Sequence, residues 1–463
     1  MNSAKTVATR LFVSACAVTR TTDLVARWTG AGFFLPALFV LRYANMGGLD
    51  PAVFADELAG ARSFRERRWC EHWDRIAAKH LRGAERALAE LAGPAASGTL
   101  FEAARLGRQA PITRRADLLD PLSQAAPVLA DHGPQPSSAA IERIVHERFA
   151  PGQAEQLVPA VTALDSWIKA ITYYQVSAFP GHTPARTAAY WRSGRLFEAL
   201  VAVLAPGLGV TIEHVEFPVD GDAVRGYLVL PQTPGPHPTV LVTNGLEGTL
   251  QELLIPLVKY RHAGLGIFVM EMPGSYAYQQ PMSDRSEGIY RQVIDQLTGH
   301  PRVDPARLGM VGVSFGGYWS ARIAATDPRL RCAVACGAPT HRTFGPTGSI
   351  GIPEIIIRAL RATTQATTLV GLAHTLRALS LRKAYREITI PLLVINGDHD
   401  TLLSTQDSID LADNAPGATL ILYPDDDHCA MGHYHEWLDL SQRWLHDHLM
   451  LASSPAGSPP TVD

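Results

Sequence analysis

The amino-acid sequence predicts an α/β protein: a mostly parallel, eight-stranded sheet flanked by helices, with a helical region ahead of it. From Thr211 onward, apolar runs of strand length alternate with segments of helical period, as when crossover helices join parallel strands. These runs are 211–217, 224–230, 238–243, 266–271, 307–312, 332–336, 391–396 and 418–423. Before Thr211 the apolar residues recur at helical spacing instead, with no strand-like alternation. Finally, 463 residues at 46% hydrophobic and 18% charged can bury a large core without a disulfide framework or a structural metal.

The helical region is expected over 1–208. Its first 60 residues are partly apolar. Val13-Ser14-Ala15-Cys16 has the look of a lipoprotein cleavage box, but Arg10 leaves too few apolar residues before it for a signal's hydrophobic stretch. The run 31–41 contains Pro36 and is too short to cross a bilayer. No membrane span is therefore expected. The segment should pack on the rest of the chain or, through 33–41, on a second copy in a homodimer. Over 63–91, Trp69, Trp73, Ile76, Leu81, Ala84 and Leu88 mark one helix face, with both tryptophans read as core. The stretch 93–159, rich in Ala, Pro and Ser, holds short helical patterns broken by Pro111, Pro121, Pro127, Pro134 and Pro136 and reads as an irregular insertion in the helical region. Helical period returns over 161–174 and again over 184–204.

The sheet domain is expected over 209–450. Asp220-Gly221-Asp222 is a hairpin signal joining the first two strands, so an antiparallel pair leads into the parallel part. The runs 238–243 and 391–396 are apolar throughout, as in strands covered on both faces. Residues 341–388 interrupt the alternation with a helical pattern and read as a lid. The tail 451–463, rich in Ser, Pro and Gly, reads as disordered.

A net charge of −3, with no long run of one sign, excludes the electrostatic footprint of a nucleic-acid binder or of a protein held on an anionic membrane. The five cysteines are scattered, an odd number without a framework, which points to reduced thiols and a cytoplasmic protein. No phosphate-binding loop or H-E-x-x-H is present, and Gly264-Leu265-Gly266 precedes a strand rather than following one, so neither cofactor nor metal is expected. His433-x-His435 alone is a weak metal signal.

The chemistry concentrates on Gly312-Val313-Ser314-Phe315-Gly316-Gly317, between a strand and a helical pattern. A serine on so tight a turn needs small residues two before and two after it. The turn lifts the hydroxyl out of the sheet towards a helix N-terminus, where developing negative charge is favoured. Serine needs a base, and in α/β-hydrolases the chain order is Ser, then Asp or Glu, then His. Asn396-Gly397-Asp398-His399-Asp400 follows one strand and Asp425-Asp426-Asp427-His428 follows the next. His428 is the expected base, with His433 and His435 as later alternatives read as exposed helix-start residues. Asp400, three after Gly397, is favoured as the acid over Asp398, which reads as a turn residue. Asp425 to Asp427 read as a solvated acidic turn. The oxyanion hole is expected from the amides of Phe315 and Leu246, with Gly245 allowing close backbone approach. Gly245, Glu247, Met272 and Tyr318 are the candidate substrate contacts, and Glu247 has the alternative of capping the helix that starts near Thr249.

Several segments together resemble one group of α/β-hydrolases. Thr243-Asn244-Gly245-Leu246-Glu247-Gly248-Thr249 is similar to its G-G-L-E/D-S-T loop, Met272-Pro273-Gly274 to its D-G-P-G turn, and Asp427-His428-Cys429 to its D-H-C motif. Tyr173-Tyr174-Gln175-Val176-Ser177-Ala178-Phe179-Pro180, followed by Ala189-Tyr190-Trp191, resembles the passage from its cap to its core. The group contains the fermentation-respiration switch protein, dihydroxypseudooxynicotine hydrolase and fungal polyketide-shortening hydrolases of pigment pathways. The resemblance runs from about Arg65 to the last helix. It implies a helical cap closing over Ser314, Asp400 and His428, and, in several members, cleavage of a carbon–carbon bond next to a ketone. The chain departs from the group in its long 93–159 region and in Glu271-Met272, where the group has Phe-Asp.

The expected function is hydrolysis of an acyl bond, an ester or the carbon–carbon bond of a β-diketone or polyketide-like small molecule that is apolar or aromatic. Two alternatives stand beside it. One is an acyltransferase or cyclase of specialised metabolism using the same triad; the other is a non-catalytic binding or regulatory protein on the same fold.

Overall fold

The computed structural model describes residues 2–345, 348 and 351–450, so the expectation for the tail 451–463 lies outside the described residues. The sheet strands are β1 (Val210–Val219), β2 (Asp222–Pro231), β3 (His237–Thr243), β4 (Gly266–Met270), β5 (Val303–Val313), β6 (Leu330–Cys336), β7 (Leu392–Gly397) and β8 (Ala418–Tyr423). They form one sheet in the order β1-β2-β4-β3-β5-β6-β7-β8. Both pairings of β2, with β1 and with β4, are antiparallel, and all the others are parallel. Asp220 and Gly221, at φ 46° and 87°, make the tight turn between β1 and β2. Every residue of β3 and of β7 is buried, as their unbroken apolar runs require.

Among the described residues, ten α-helices precede the sheet: α1 (Asn2–Thr19), α2 (Thr22–Thr29), α3 (Ala37–Gly47), α4 (Pro51–Gly60), α5 (Glu66–Ala92), α6 (Thr99–Leu106), α7 (Ala116–His132), α8 (Ser138–Arg148), α9 (Pro151–Ala178) and α10 (Pro184–Leu204). Helix α5 turns Trp69, Trp73, Ala77, Leu81, Ala84 and Leu88 inward, and the Trp69 indole donates to the Val176 carbonyl of α9 at 3.0 Å. The stretch expected to be irregular, 93–159, is largely helical. Pro121 and Pro127 lie inside α7. An internal proline costs about 3 kcal/mol locally, but α7 buries Leu118, Leu122, Ala125, Ala126 and Leu129 along one face, and tertiary burial outweighs that propensity. The Ser123 carbonyl, deprived of its helical donor by Pro127, sits against Gly207, where a Cβ would come within 1.9 Å of it.

The first sixty residues fold onto this chain. Phe34, Leu35 and Phe39 are buried within it, Leu38, Val40 and Leu41 are partly buried, and Phe33 is exposed. Asn45 of α3 donates to the Met431 carbonyl at 2.8 Å, and Arg42 pairs with Glu252 at 2.8 Å. The remaining helices lie among the strands: α11 (Leu250–Leu257), α12 (Glu287–Gly299), α13 (Phe315–Thr326), α14 (Glu354–Thr364), α15 (Leu369–Ala378), α16 (Thr405–Asn414) and α17 (Tyr434–Met450). Among them, α14 and α15 occupy the 341–388 interruption between β6 and β7. Among the described residues, no helix is long and apolar enough to cross a membrane.

Candidate active site

The carboxyl ends of β3, β5, β7 and β8 meet at one place, where open parallel sheets leave a crevice for ligands. Ser314 follows β5 directly and stands before the first turn of α13 with φ 58° and ψ −122°, a strained backbone held by the bond from its amide to the Cys336 carbonyl at 2.7 Å. The neighbouring glycines have a measurable reason. A Cβ on Gly312 would come within 1.9 Å of the Gly316 carbonyl oxygen, and one on Gly316 within 2.5 Å of the Thr243 carbonyl oxygen. A larger residue at either place would force the turn open.

His428 Nε2 lies 2.9 Å from Ser314 Oγ, and His428 Nδ1 lies 2.8 Å from Asp400 Oδ2. Both the imidazole and the carboxylate are almost fully buried, at 3% and 1% side-chain exposure. Asp400 also accepts the amides of Leu402 and Leu403, at 3.0 and 2.7 Å, and the Asn396 side-chain amide at 3.0 Å. Burial opposes its charge, but His428 and these donors outweigh it and hold the carboxyl below its ordinary range. Burial likewise opposes an imidazolium at His428. Its neighbours, the Cys429 sulfur and the Asp400 carboxylate, outweigh burial and hold His428 well above the ordinary histidine value. Since burial keeps the Cys429 thiol protonated, the charge that matters at neutral pH is that of Asp400.

Asp398 is elsewhere: it pairs with exposed His399 at 2.5 Å, as a turn residue. His433 is not an exposed helix start but is half-buried, bonded to Asp426 at 2.8 Å and stacked on Tyr423, while His435 is exposed. The acidic run is a solvated turn only at Asp425, which is exposed. Asp426 is buried and accepts the amides of Asp427, Gly432 and His433; Asp427 accepts the Thr401 and His428 amides. These bonds fasten the histidine loop to the Asp400 loop, and Gly397 lets them touch, since a Cβ there would lie 2.2 Å from two carbonyl oxygens of that run.

Gly245, Leu246, Ser314, Phe315 and His428 line one cavity of about 130 Å³. A Cβ on Gly245 would lie 2.6 Å from Ser314 Cβ, so the loop after β3 presses on the serine. Phe315 opens α13, so its amide has no intrahelical acceptor. The other candidate contacts are placed away from the cavity. Glu247, at φ 52° and 2% exposed, turns its carboxylate to the Gly181 amide, at 2.7 and 2.9 Å, rather than to a ligand or a helix start. Burial lifts its carboxyl to about 7. Met272 is fully buried in the core on the other side of the Asn244 amide, which it meets through its own backbone. Tyr318 is buried against Phe315, Trp319 and Phe344, and its hydroxyl accepts from Arg322 at 2.8 Å. Each carries an apolar or anionic group that finds its partner inside the fold, which spacing alone does not disclose.

The sequence reading missed two contributions. Asn396 bonds both Asp400 and the Cys429 amide, at 3.0 and 2.9 Å, and its place in Asn-Gly-x-x-Asp was a usable signal. Helix α3 supplies Leu38, Phe39 and Arg42 to the cavity wall, and no sequence spacing connects that helix to Ser314. The 341–388 interruption, read as a lid, supplies Phe344, Ile356 and Leu360.

A family model described as Esterase FrsA-like matches residues 141–450. Esterase FrsA of Vibrio cholerae is 26% identical over 300 residues, covering 62% of this chain and 71% of that protein. The 2,6-dihydropseudooxynicotine hydrolase of Paenarthrobacter nicotinovorans is 27% identical over 230 residues, 49% of this chain and 61% of that protein. In fold, the chain is similar to the crystal structure of 2,6-dihydroxy-pseudo-oxynicotine hydrolase, at TM-score 0.55 and 22% identity over 73% of this chain and 97% of the other. It is also similar to AbyA5, at TM-score 0.54 and 24% identity over 68% and 90%. The fold is that of the α/β-hydrolases, the chain is an enzyme of the serine-hydrolase type, and, with the family model spanning well over half its length, it belongs to the FrsA-like esterase family.

Proposed function

We propose that this enzyme hydrolyses an acyl bond of an apolar small molecule, an ester or the carbon–carbon bond of a β-diketone or polyketide-like compound, with Ser314 as nucleophile, His428 as base and Asp400 as the group that orients it. The observation carrying this reading is the unbroken hydrogen-bond chain Ser314–His428–Asp400 at the wall of an apolar cavity. His428 Nε2 takes the Ser314 proton as Oγ attacks the carbonyl carbon. Asp400 fixes the Nδ1–H tautomer and stabilises the imidazolium that forms. The amides of Leu246 and Phe315 receive the oxyanion, each worth about 10²–10³ in rate. His428 then protonates the departing alkoxide, or the enolate carbon where a carbon–carbon bond breaks, and water admitted to the site releases the acyl group. The resemblance of the Asn244–Thr249 loop and the Asp427-His428-Cys429 motif to the group described above supports the wider choice of bonds. The apolar wall also favours acyl transfer to another alcohol or amine as a second reading, since it limits water near Ser314.

A fluorophosphonate probe tests the site. It is expected to label the wild type at Ser314 and to leave Ser314→Ala unlabelled; an unlabelled, folded wild type at neutral pH would sink the reading in favour of a binding protein. Product analysis with and without an added alcohol separates hydrolysis from transfer.

A further inference from the structure

The cavity around Ser314 is apolar almost throughout, and most of its polar side chains are already engaged. The Asn244 side chain donates to the Thr249 carbonyl at 2.9 Å and accepts the Met272 amide at 3.3 Å. Glu252 accepts Nε and Nη2 of Arg42, at 2.9 and 3.0 Å, and Nη2 also reaches the Glu247 carbonyl at 3.4 Å. Two polar groups remain. Thr343 Oγ1, just after β6, is buried with no hydrogen-bond partner among the described residues. Arg42 Nη1 keeps both its N–H groups free of protein acceptors among the described residues, and it is not among the fully buried atoms. Both residues line the cavity. A buried polar atom without a partner is costly, so Thr343 Oγ1, together with the unengaged Arg42 Nη1 on the wall of the same apolar chamber, marks where a ligand's complementary atom belongs.

The geometry points to Arg42, with Thr343, as the polar anchor of the substrate chamber: it receives an oxygen acceptor carried on the substrate's apolar chain, apart from the carbonyl that Ser314 attacks. The inference rests on the Ser314 reading above and narrows its substrate to a neutral acyl compound bearing a second carbonyl oxygen. The residues decide the class. A guanidinium donates only, so the substrate atom must accept. Glu252 neutralises Arg42 through two parallel bonds, so the site offers directed N–H groups with little net charge. A free carboxylate would carry an unmatched charge into an apolar chamber next to Glu252, whereas a ketone, ester or amide oxygen would not. The anchor comes from α3, outside the family-matched residues 141–450.

The test compares p-nitrophenyl octanoate with the series of its mono-oxo analogues, the ketone moved along the chain. The wild type is expected to prefer at least one oxo ester in kcat/KM by about 10–100-fold, the worth of one hydrogen bond from a charged donor. Arg42→Lys keeps a cation for Glu252 but lacks the second arm of the fork. It is expected to cut that preference about tenfold through KM, and Thr343→Val to lower it as well. No preference for any oxo ester in the wild type overturns the inference, as does a folded Arg42→Lys whose preference is unchanged. An Arg42 that only braced the oxyanion loop would slow every ester by the same factor and leave the ratio intact, which also overturns it. Should Arg42→Lys fail to fold, Thr343→Val and the wild-type series decide. Fluorophosphonate labelling separates the failures: a labelled wild type without preference sinks this inference alone, and an unlabelled one sinks the Ser314 reading and this inference with it.

Discussion

His428 Nδ1 meets Asp400 Oδ2 at 2.8 Å, while Asp398, two residues earlier on the same loop, pairs on the surface with His399. The two aspartates therefore differ in what their loss does. Asp400→Asn is expected to lower kcat by about 10⁴-fold, the cost of holding a triad histidine in the wrong tautomer. Asp398→Asn should stay within about threefold of wild type, because an exposed pair contributes little. Steady-state kinetics on any chromogenic ester distinguishes them, and the reverse order would place the acid at Asp398.

The pH profile follows from the same pair. The base must be neutral, and the folded enzyme holds His428 above the ordinary histidine value, burial being outweighed by its neighbours. The acid limb of kcat/KM is therefore expected to have its midpoint above about 6.5. In Asp400→Asn, without the carboxylate, the midpoint of the residual activity should move to lower pH. A wild-type midpoint below the ordinary histidine value would contradict the assignment of His428 as base.

Gly245 tests the contact between the loop after β3 and Ser314. Gly245→Ala puts a Cβ 2.6 Å from Ser314 Cβ, so one of the two must move. A displacement of this order costs about 10²-fold in rate. Labelling of Ser314 should slow along with turnover, with the protein still folded by circular dichroism. Unchanged labelling would show that the loop yields without consequence.

Glu247 gives a stability test independent of catalysis. Burial raises its carboxyl from 4.5 to about 7 in the folded chain. Its contribution is fully present below the unfolded value, near 4.5, and is lost as pH rises through about 7. The loss amounts to about 3 kcal/mol at most. Glu247→Gln keeps an acceptor for the Gly181 amide and has no proton to lose. The variant's stability relative to wild type should therefore rise between pH 5 and pH 8 in denaturant titrations. A difference independent of pH would mean that Glu247 is charged throughout.

Much of the fold and site was legible because it is local. The eight strands were readable as apolar runs bounded by turns, and Gly312-Val313-Ser314-Phe315-Gly316 as a turn whose two glycines are demanded by carbonyl oxygens within 2.5 Å. In 93–159 short helical patterns were legible, but not that a helix runs on through Pro121 and Pro127. Its prolines are strong local signals, and the apolar face of α7 that overrides them has value only once it is packed. Glu247, Met272 and Tyr318 were misplaced for a related reason: their positions beside motifs were correct, but side-chain direction there is set by partners such as Gly181 and Arg322, remote from or unremarkable in the sequence.

By itself, then, the sequence determined the order of strands and helices, the strained turn at Ser314, and the succession of Ser314, Asp400 and His428, since each follows from residues within a few positions of one another and from chain order. Tertiary structure alone decided which walls enclose that serine. Arg42 and Glu252 are 210 residues apart, and only the docking of α3 on α11 joins them beside Ser314. Contacts at that separation depend on how whole helices pack, and packing is settled by the complementarity of two surfaces, neither of which is written in the spacing of the other.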